Sequence, residues 1–244
     1  MEGADNGDFT VKRFKTGISG LDDMLYGGIP QGSQTMIMGS PGAGKSLMTF
    51  QILYNNAKSG VPCTLILLDQ KRNKFIKNAL AAFPNCKDLA DLEKSHMLTI
   101  HENTAEEKFT SRETVMLFIS GILNAVQDDN PKIVAIDSVS ILRSISDDDR
   151  SFTIMINKIS DSLETMGVTA LTTIEVSDKV DGDEIPGLYE ESMFDGIIRI
   201  KATTTDAGTQ HSIAILKLRY SNYDASSNPM EITPDGIVVK RQAK

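Results

Sequence analysis

Gly39-Ser-Pro-Gly-Ala-Gly-Lys45-Ser46 brings a pliable backbone, a cation and a hydroxyl together in one short loop. Glycines free the chain to curl, so that the loop Gly39, Ser40, Pro41, Gly42, Ala43 and Gly44 can wrap phosphate oxygens with its amide groups. An apolar strand, Thr35–Met38, precedes the loop, and a helical pattern opening at Leu47 follows it. The positive end of that helix adds to the attraction for an anion. In this arrangement Lys45 neutralises the β- and γ-phosphates and Ser46 supplies its hydroxyl to Mg²⁺, so a nucleoside triphosphate is the expected ligand.

A second element is Ile133-Val-Ala-Ile-Asp137-Ser138, an apolar strand that ends in an acid. Ligands of open α/β sheets collect at the carboxyl ends of the strands. Asp137 is therefore expected to hold the water shell of the same Mg²⁺.

These loops need a scaffold, and the rest of the chain supplies its pattern. Strand-like runs at Thr35–Met38, Thr64–Leu68, Met97–His101, Ile133–Ile136 and Thr169–Thr173 alternate with helical patterns at about 45–59, 73–83, 111–126 and 147–166. Several runs are apolar throughout, as strands covered on both faces must be. The alternation implies an α/β fold with a mostly parallel sheet flanked by helices. Beyond residue 196 the runs Gly196–Ala202, Ser212–Arg219 and Ile237–Lys240 are separated by turn formers at 203–211 and 220–235, which predicts antiparallel strands at the C-terminal edge.

Composition narrows the function classes. The 244 residues carry 25 Lys+Arg against 33 Asp+Glu, a net charge of −8, so there is no general attraction for nucleic acid. Cys63 and Cys86 are the only cysteines, which excludes a disulfide framework and fits a reducing cytoplasm. The start MEGADNGDFT lacks the basic and apolar regions of a signal peptide, and no apolar run approaches the roughly 18 residues of a membrane span. Residues 1–11 read as a loose tail and 12–244 as one domain.

Phe14-Lys-Thr-Gly-Ile-Ser-Gly-Leu-Asp22, Gly27-Gly-Ile-Pro-Gln-Gly32 and the phosphate loop together resemble the opening of a KaiC domain. The resemblance continues through Asp137-Ser-Val, Gly167-Val-Thr-Ala-Leu-Thr-Thr173, Leu216-Lys-Leu-Arg219 and Ile232-Thr-Pro-Asp-Gly-Ile237. It implies a RecA-like ATPase core that holds ATP and Mg²⁺ between neighbouring subunits of a homo-oligomeric ring, usually a hexamer, in a regulatory or signalling role with a protein partner. The family's pair of catalytic glutamates aligns with Asp69-Gln70. Gln70 can orient a water but cannot take its proton, so slow hydrolysis is expected. Lys217 and Arg219 match the basic pair that reaches a neighbour's γ-phosphate. Leu218, Ser221 and Tyr223 match nucleotide-contacting positions. Tyr220 replaces a glycine, Ala81 a serine near the base, and Ile174-Glu175 a Glu-Arg pair.

Other features have plainer readings. His96, His101 and His211 lack the spacing of a metal site. Ser146-Asp-Asp-Asp149 reads as a helix start with Ser146 as its cap. Lys71, Arg72, Lys74 and Lys77 read as a solvated helix face, and the methionines as core filling. A nucleic-acid motor of the RecA or DnaB type is the competing function, with DNA-binding loops at 144–150 and 176–192. The second of these is dominated by acids, which repel a phosphate backbone. A non-hydrolysing scaffold closed by ATP is a third.

Overall fold

The computed structural model describes residues 11–103, 112–146, 148–176, 193–206 and 208–241. The N-terminal tail and most of the acidic segment at 176–192 thus lie outside the described residues.

The motif Phe14–Asp22 proves architectural. A ribbon of β1 (Arg13–Phe14) and β2 (Ile29–Pro30) encloses the short helix α1 (Leu21–Met24). Asp22 accepts hydrogen bonds from Thr16 N at 2.7 Å, Thr16 Oγ1 at 2.8 Å and Gly17 N at 3.1 Å, and so fixes the turn into the helix. Its acid also sits in the first turn, where the helix dipole favours negative charge.

The chain then runs β3 (Gln34–Gly39), α2 (Lys45–Lys58), β4 (Cys63–Leu67), α3 (Arg72–Ala82), α4 (Leu89–Lys94) and β5 (Leu98–Glu102). There follow α5 (Arg112–Asp129), β6 (Ile133–Asp137), α6 (Ile141–Ser144), α7 (Asp149–Thr165) and β7 (Thr169–Glu175). Four further strands complete it: β8 (Gly196–Thr205), β9 (Gly208–Leu218), β10 (Asn228–Thr233) and β11 (Gly236–Val239). Nine strands form one sheet in the order β11-β10-β9-β8-β3-β7-β6-β4-β5. The block from β8 to β5 is parallel, and β9, β10 and β11 add antiparallel edges, as the sequence pattern predicts.

Both faces of the sheet are covered. Met48, Phe50 and Leu53 of α2, Phe75 and Ala79 of α3 and Leu89 of α4 close one core against Ile37, Leu65 and Ala135. Phe118 and Ile122 of α5, Leu142 of α6 and Phe152 and Ile156 of α7 close the other against Met36, Ile66 and Val134. Alternate strand residues feed opposite cores, which is why these strands had to be apolar without interruption. Among the described residues no helix is long and apolar enough to cross a membrane.

Besides adding the short elements β1, β2, α1, α4 and α6, the structure departs from the sequence reading at the C-terminal strands and at one helix cap. Residues 228–233, read as part of a turn-rich segment, form β10, which pairs with both β9 and β11. Likewise β8 and β9 continue through most of 203–211, because their β-branched threonines suit strands despite their polarity. The cap of α7 is Asp148, whose carboxylate accepts from Ser151 N at 2.7 Å, while Ser146 Oγ turns back to Leu142 O.

A register shift also decides where the basic pair points. Ile197 pairs with Lys217, but Ile198 pairs with Ile215, so Leu216 is the extra residue of a β-bulge. Ile213 and Ile215 face the α2 core; after the bulge Leu218 resumes that face. The odd positions 217 and 219 are thereby turned to the opposite face, and Lys217 escapes the apolar interior.

Candidate functional site

The phosphate loop leaves β3 at Gly39 and enters α2 at Lys45. Gly44, which caps the helix, has φ 100°, and a Cβ there would meet Ile232 Cδ1 at 2.9 Å. Only glycine satisfies both conditions. No side chain caps α2, so its first amide groups are offered to an external anion. The Lys45 ammonium is folded over the loop and donates to Gly39 O and Ser40 O, both at 2.9 Å. Those two carbonyls satisfy a lysine that is only 6% exposed.

Facing the loop are acids from the carboxyl ends of three strands. Asp137 ends β6, Glu175 ends β7, and Asp69 lies just beyond β4, followed by Gln70. All four line one cleft of about 440 Å³ with Gly42, Gly44, Lys45, Ser46, Leu47 and Ser138. Asp137 is 1% exposed, and its Oδ1 accepts from Thr173 Oγ1 at 2.5 Å. Its Oδ2 is buried with no hydrogen-bond partner. Burial in the cleft, then the charges of Asp137 and Glu175, push Asp69 up to about 6, although Lys45 pulls the other way. Asp69 is nevertheless open to solvent at its outer edge.

The donor set suits a divalent cation. A buried carboxylate oxygen without a partner is costly unless something positive meets it. Magnesium keeps several waters and takes few protein ligands, so the Ser46 hydroxyl and Asp137 Oδ2 would serve one ion whose remaining partners are water and phosphate. When bound, that ion neutralises charge on the phosphates. Among the described residues no cluster of His, Cys, Asp and Glu could hold a metal by itself, and His101 is paired with Asp129 Oδ2 at 2.8 Å.

Several lining residues were not visible as site residues in the sequence. Phe75, Asn78 and Ala79 reach the cleft from α3, and Ile232 reaches it from β10. Thr173 matters through its bond to Asp137. Glu175 had two usable signals, its place at the same strand rim as Asp137 and the departure of Ile174-Glu175 from the Glu-Arg pair of the resembling family.

Lys217, Leu218, Arg219, Ser221 and Tyr223 do not line this cleft. Leu218 pairs with Gly196, which pairs with Thr35 at the start of β3, whereas the phosphate loop leaves the far end of that strand at Gly39. At about 3.3 Å per residue the separation along the sheet is on the order of 13 Å, too far for either cation to act on its own subunit's loop. Arg219 instead approaches Asp195 Oδ1 at 3.6 Å, Tyr223 donates to Leu216 O at 3.0 Å, and Ser221 Oγ donates to Asn222 O at 2.6 Å. Leu218 is buried in the core.

Comparison with known proteins places this geometry. The family described as KaiC ATPase matches residues 14–244. A UPF0273 protein of Aeropyrum pernix is 33% identical over 239 residues, spanning 94% of each chain. A UPF0273 protein of Thermotoga maritima is 31% identical over 94% of this chain and 96% of its own. The circadian clock oscillator protein KaiC of a Picosynechococcus strain is 27% identical over 93% of this chain, which spans 44% of that longer protein. The crystal structure of a KaiC-like protein of Pyrococcus horikoshii superposes with a TM-score of 0.80, covering 95% of this chain and 100% of that one at 27% identity.

Proposed function

We propose that this chain, which belongs to the KaiC family of ATPases, binds Mg-ATP in the cleft at the phosphate loop and hydrolyses it slowly as a cytoplasmic regulatory ring. The observation that carries the reading is the unpartnered, buried Asp137 Oδ2, which shares a cleft with Lys45 and Ser46. A buried carboxylate oxygen without a protein partner beside a phosphate loop suits a cation on a polyphosphate.

The role of each residue follows from its chemistry. Amides of the loop and of the first turn of α2 hold the β- and γ-phosphates, and Lys45 leaves the carbonyls of Gly39 and Ser40 to neutralise them. Ser46 and Asp137 hold the ion. Asp69 and Gln70 face the far side of the γ-phosphate and orient the attacking water. An amide cannot accept a proton at neutral pH, and loss of a general base typically slows a reaction by about 10²–10⁴-fold. The pair therefore supports slow turnover.

The geometry of the sheet supports the ring reading. Lys217 and Arg219 sit at the rim opposite their own phosphate loop, so a role at a phosphate requires a neighbouring copy. A permanently charged, planar guanidinium suits that role. Ser221, Tyr223 and the backbone at Leu218 would then meet the neighbour's nucleotide, and a hexamer is the ring size implied by the family.

Native mass measurement with and without Mg-ATP, read beside phosphate release, tests the proposal. ATP-dependent assembly with slow release is expected. Assembly indifferent to nucleotide, or failure of the protein to bind Mg-ATP, would overturn it. Assembly on ATP with no release at all would leave a scaffold that uses ATP only as a ligand.

A further inference from the structure

We propose that Glu175 is the residue that takes the proton of the attacking water, the step for which Gln70 has no suitable chemistry. The proposal rests on the reading of the cleft as a site of ATP hydrolysis.

The placement of Glu175 is set by the sheet. It is the last residue of β7 and stands opposite Gly39, the first residue of the phosphate loop, in the parallel register. Side chains two apart on a strand share a face, so Glu175 lies on the same face as Thr173, which is bonded to Asp137. The two are separated by roughly 6.6 Å along the strand, one pleat beyond the cation-holding carboxylate and towards the mouth of the cleft. Ile174 between them is buried in the opposite core, which confirms the alternation.

The backbone under Glu175 is held firmly. Glu175 N donates to Ser140 Oγ at 2.7 Å, and Val176 N donates to Gly39 O at 3.2 Å. Ser140 is in turn bonded to Ser138, the neighbour of Asp137, at 3.0 Å. One short network thus ties the strand end to both the phosphate loop and the cation site.

Of the other two acids of the cleft, one is committed and the other is short. Asp137 has one oxygen on Thr173 and the other, buried, set for the cation. Asp69 has a side chain one methylene shorter than glutamate, which costs about 1.5 Å of reach. Among the described residues the Glu175 carboxylate carries no hydrogen bond or ion pair, lines the cleft and is exposed to solvent. It can therefore receive a proton from water inside the cleft and return it to bulk solvent.

The step balances without further reactants. The water oxygen forms a bond to the γ-phosphorus, and the bond from that phosphorus to the β,γ-bridging oxygen breaks. The electron pair of that bond leaves on ADP. The water proton passes to Glu175, and ionisation to solvent restores the carboxylate before the next turnover.

Glu175→Gln keeps the size of the side chain and removes its basicity, so the test compares it with Asp69→Asn and with the double variant Glu175→Gln/Gln70→Glu. The measurements are ATP affinity in the presence of Mg²⁺ and single-turnover phosphate release by the full chain. Glu175→Gln is expected to bind ATP within about threefold of the unaltered protein and to release phosphate at least about 100-fold more slowly. Asp69→Asn should lose less than about tenfold, and Gln70→Glu in the Glu175→Gln background should restore much of the rate. Glu175→Gln turning over within about threefold of the unaltered protein overturns the assignment. So does Asp69→Asn taking the whole loss, which would move the proton to Asp69, or an unaltered protein that binds ATP and never hydrolyses it. Failure of the unaltered protein to bind ATP is a different result, for it removes the reading of the cleft itself.

Discussion

Two buried threonines of the central sheet should respond in opposite ways to the same isosteric change. Thr173 Oγ1 donates to Asp137 Oδ1 at 2.5 Å, and both groups are buried. Thr35 Oγ1, on β3, is equally buried and has no partner. Valine replaces a hydroxyl by a methyl group with little change of shape, so packing is nearly constant in both variants.

A hydrogen bond to a charged group contributes about 1.5–3 kcal/mol. Asp137 already has one oxygen without a partner, so Thr173→Val would leave the whole carboxylate unsatisfied, and the upper end, about 3 kcal/mol, applies. For a chain of this size each kcal/mol moves the melting temperature by about 2–4 °C, which predicts a fall of about 6–12 °C. Thr173→Ser keeps the donor and loses one methyl group, about 1 kcal/mol, or about 2–4 °C. Thr35→Val removes a hydroxyl that was desolvated for no return, so its Tm should hold or rise by a few degrees. Thermal melts followed by circular dichroism without nucleotide read all three. Thr173→Val melting within 1 °C of the unaltered protein, or Thr35→Val falling as far as Thr173→Val, would refute this account of Asp137.

The proposed trans role of Arg219 can be tested by mixing. Its ion pair with Asp195 is half-exposed at 3.6 Å, so Arg219→Ala should cost under about 1 kcal/mol of stability and still abolish hydrolysis. Lys45→Ala should be inactive for a different reason, and a mixture of the two variants should regain activity at junctions that combine one intact loop with one intact arginine; a mixture no better than its components refutes a shared site. The contribution of Asp69 to stability without nucleotide should also fall as pH rises from 3.8 towards about 6, because Asp69 holds its proton more tightly folded than unfolded. Asp69→Asn should flatten that part of the urea-midpoint profile, and an unchanged slope would mean that its neighbours do not press on it as the structure indicates.

How much of the site was legible depended on whether its parts are consecutive. The phosphate-loop pattern could be read in full, since its glycines, Lys45 and Ser46 are consecutive and run straight into a helix that starts at Lys45. Asp137 was legible for a similar reason, as an acid closing an apolar strand. Asp69 and Gln70 needed the family resemblance, because an acid and an amide after a strand say nothing alone. Thr173 and Glu175 were hidden, since β7 lies beside both β3 and β6 only in the folded sheet. Ile232 was hidden because Asn228 and Pro229 look like turn residues, although β10 carries both at its start.

The sequence by itself determined most of the core elements and which ligand chemistry they can hold: apolar runs long enough for strands, amphipathic spacing for helices, and a loop that can only be closed by glycine. Tertiary structure decided what meets what. Sheet order put the carboxyl ends of β3, β4, β6 and β7 on one rim, so that Lys45, Asp69, Asp137 and Glu175 share a cleft despite their distance along the chain. A single bulge at Leu216 turned Lys217 away from the core, and the direction of β9 carried Arg219 to the opposite rim. Local propensity acts over a few residues, whereas these placements depend on register and strand order, which only long-range pairing fixes.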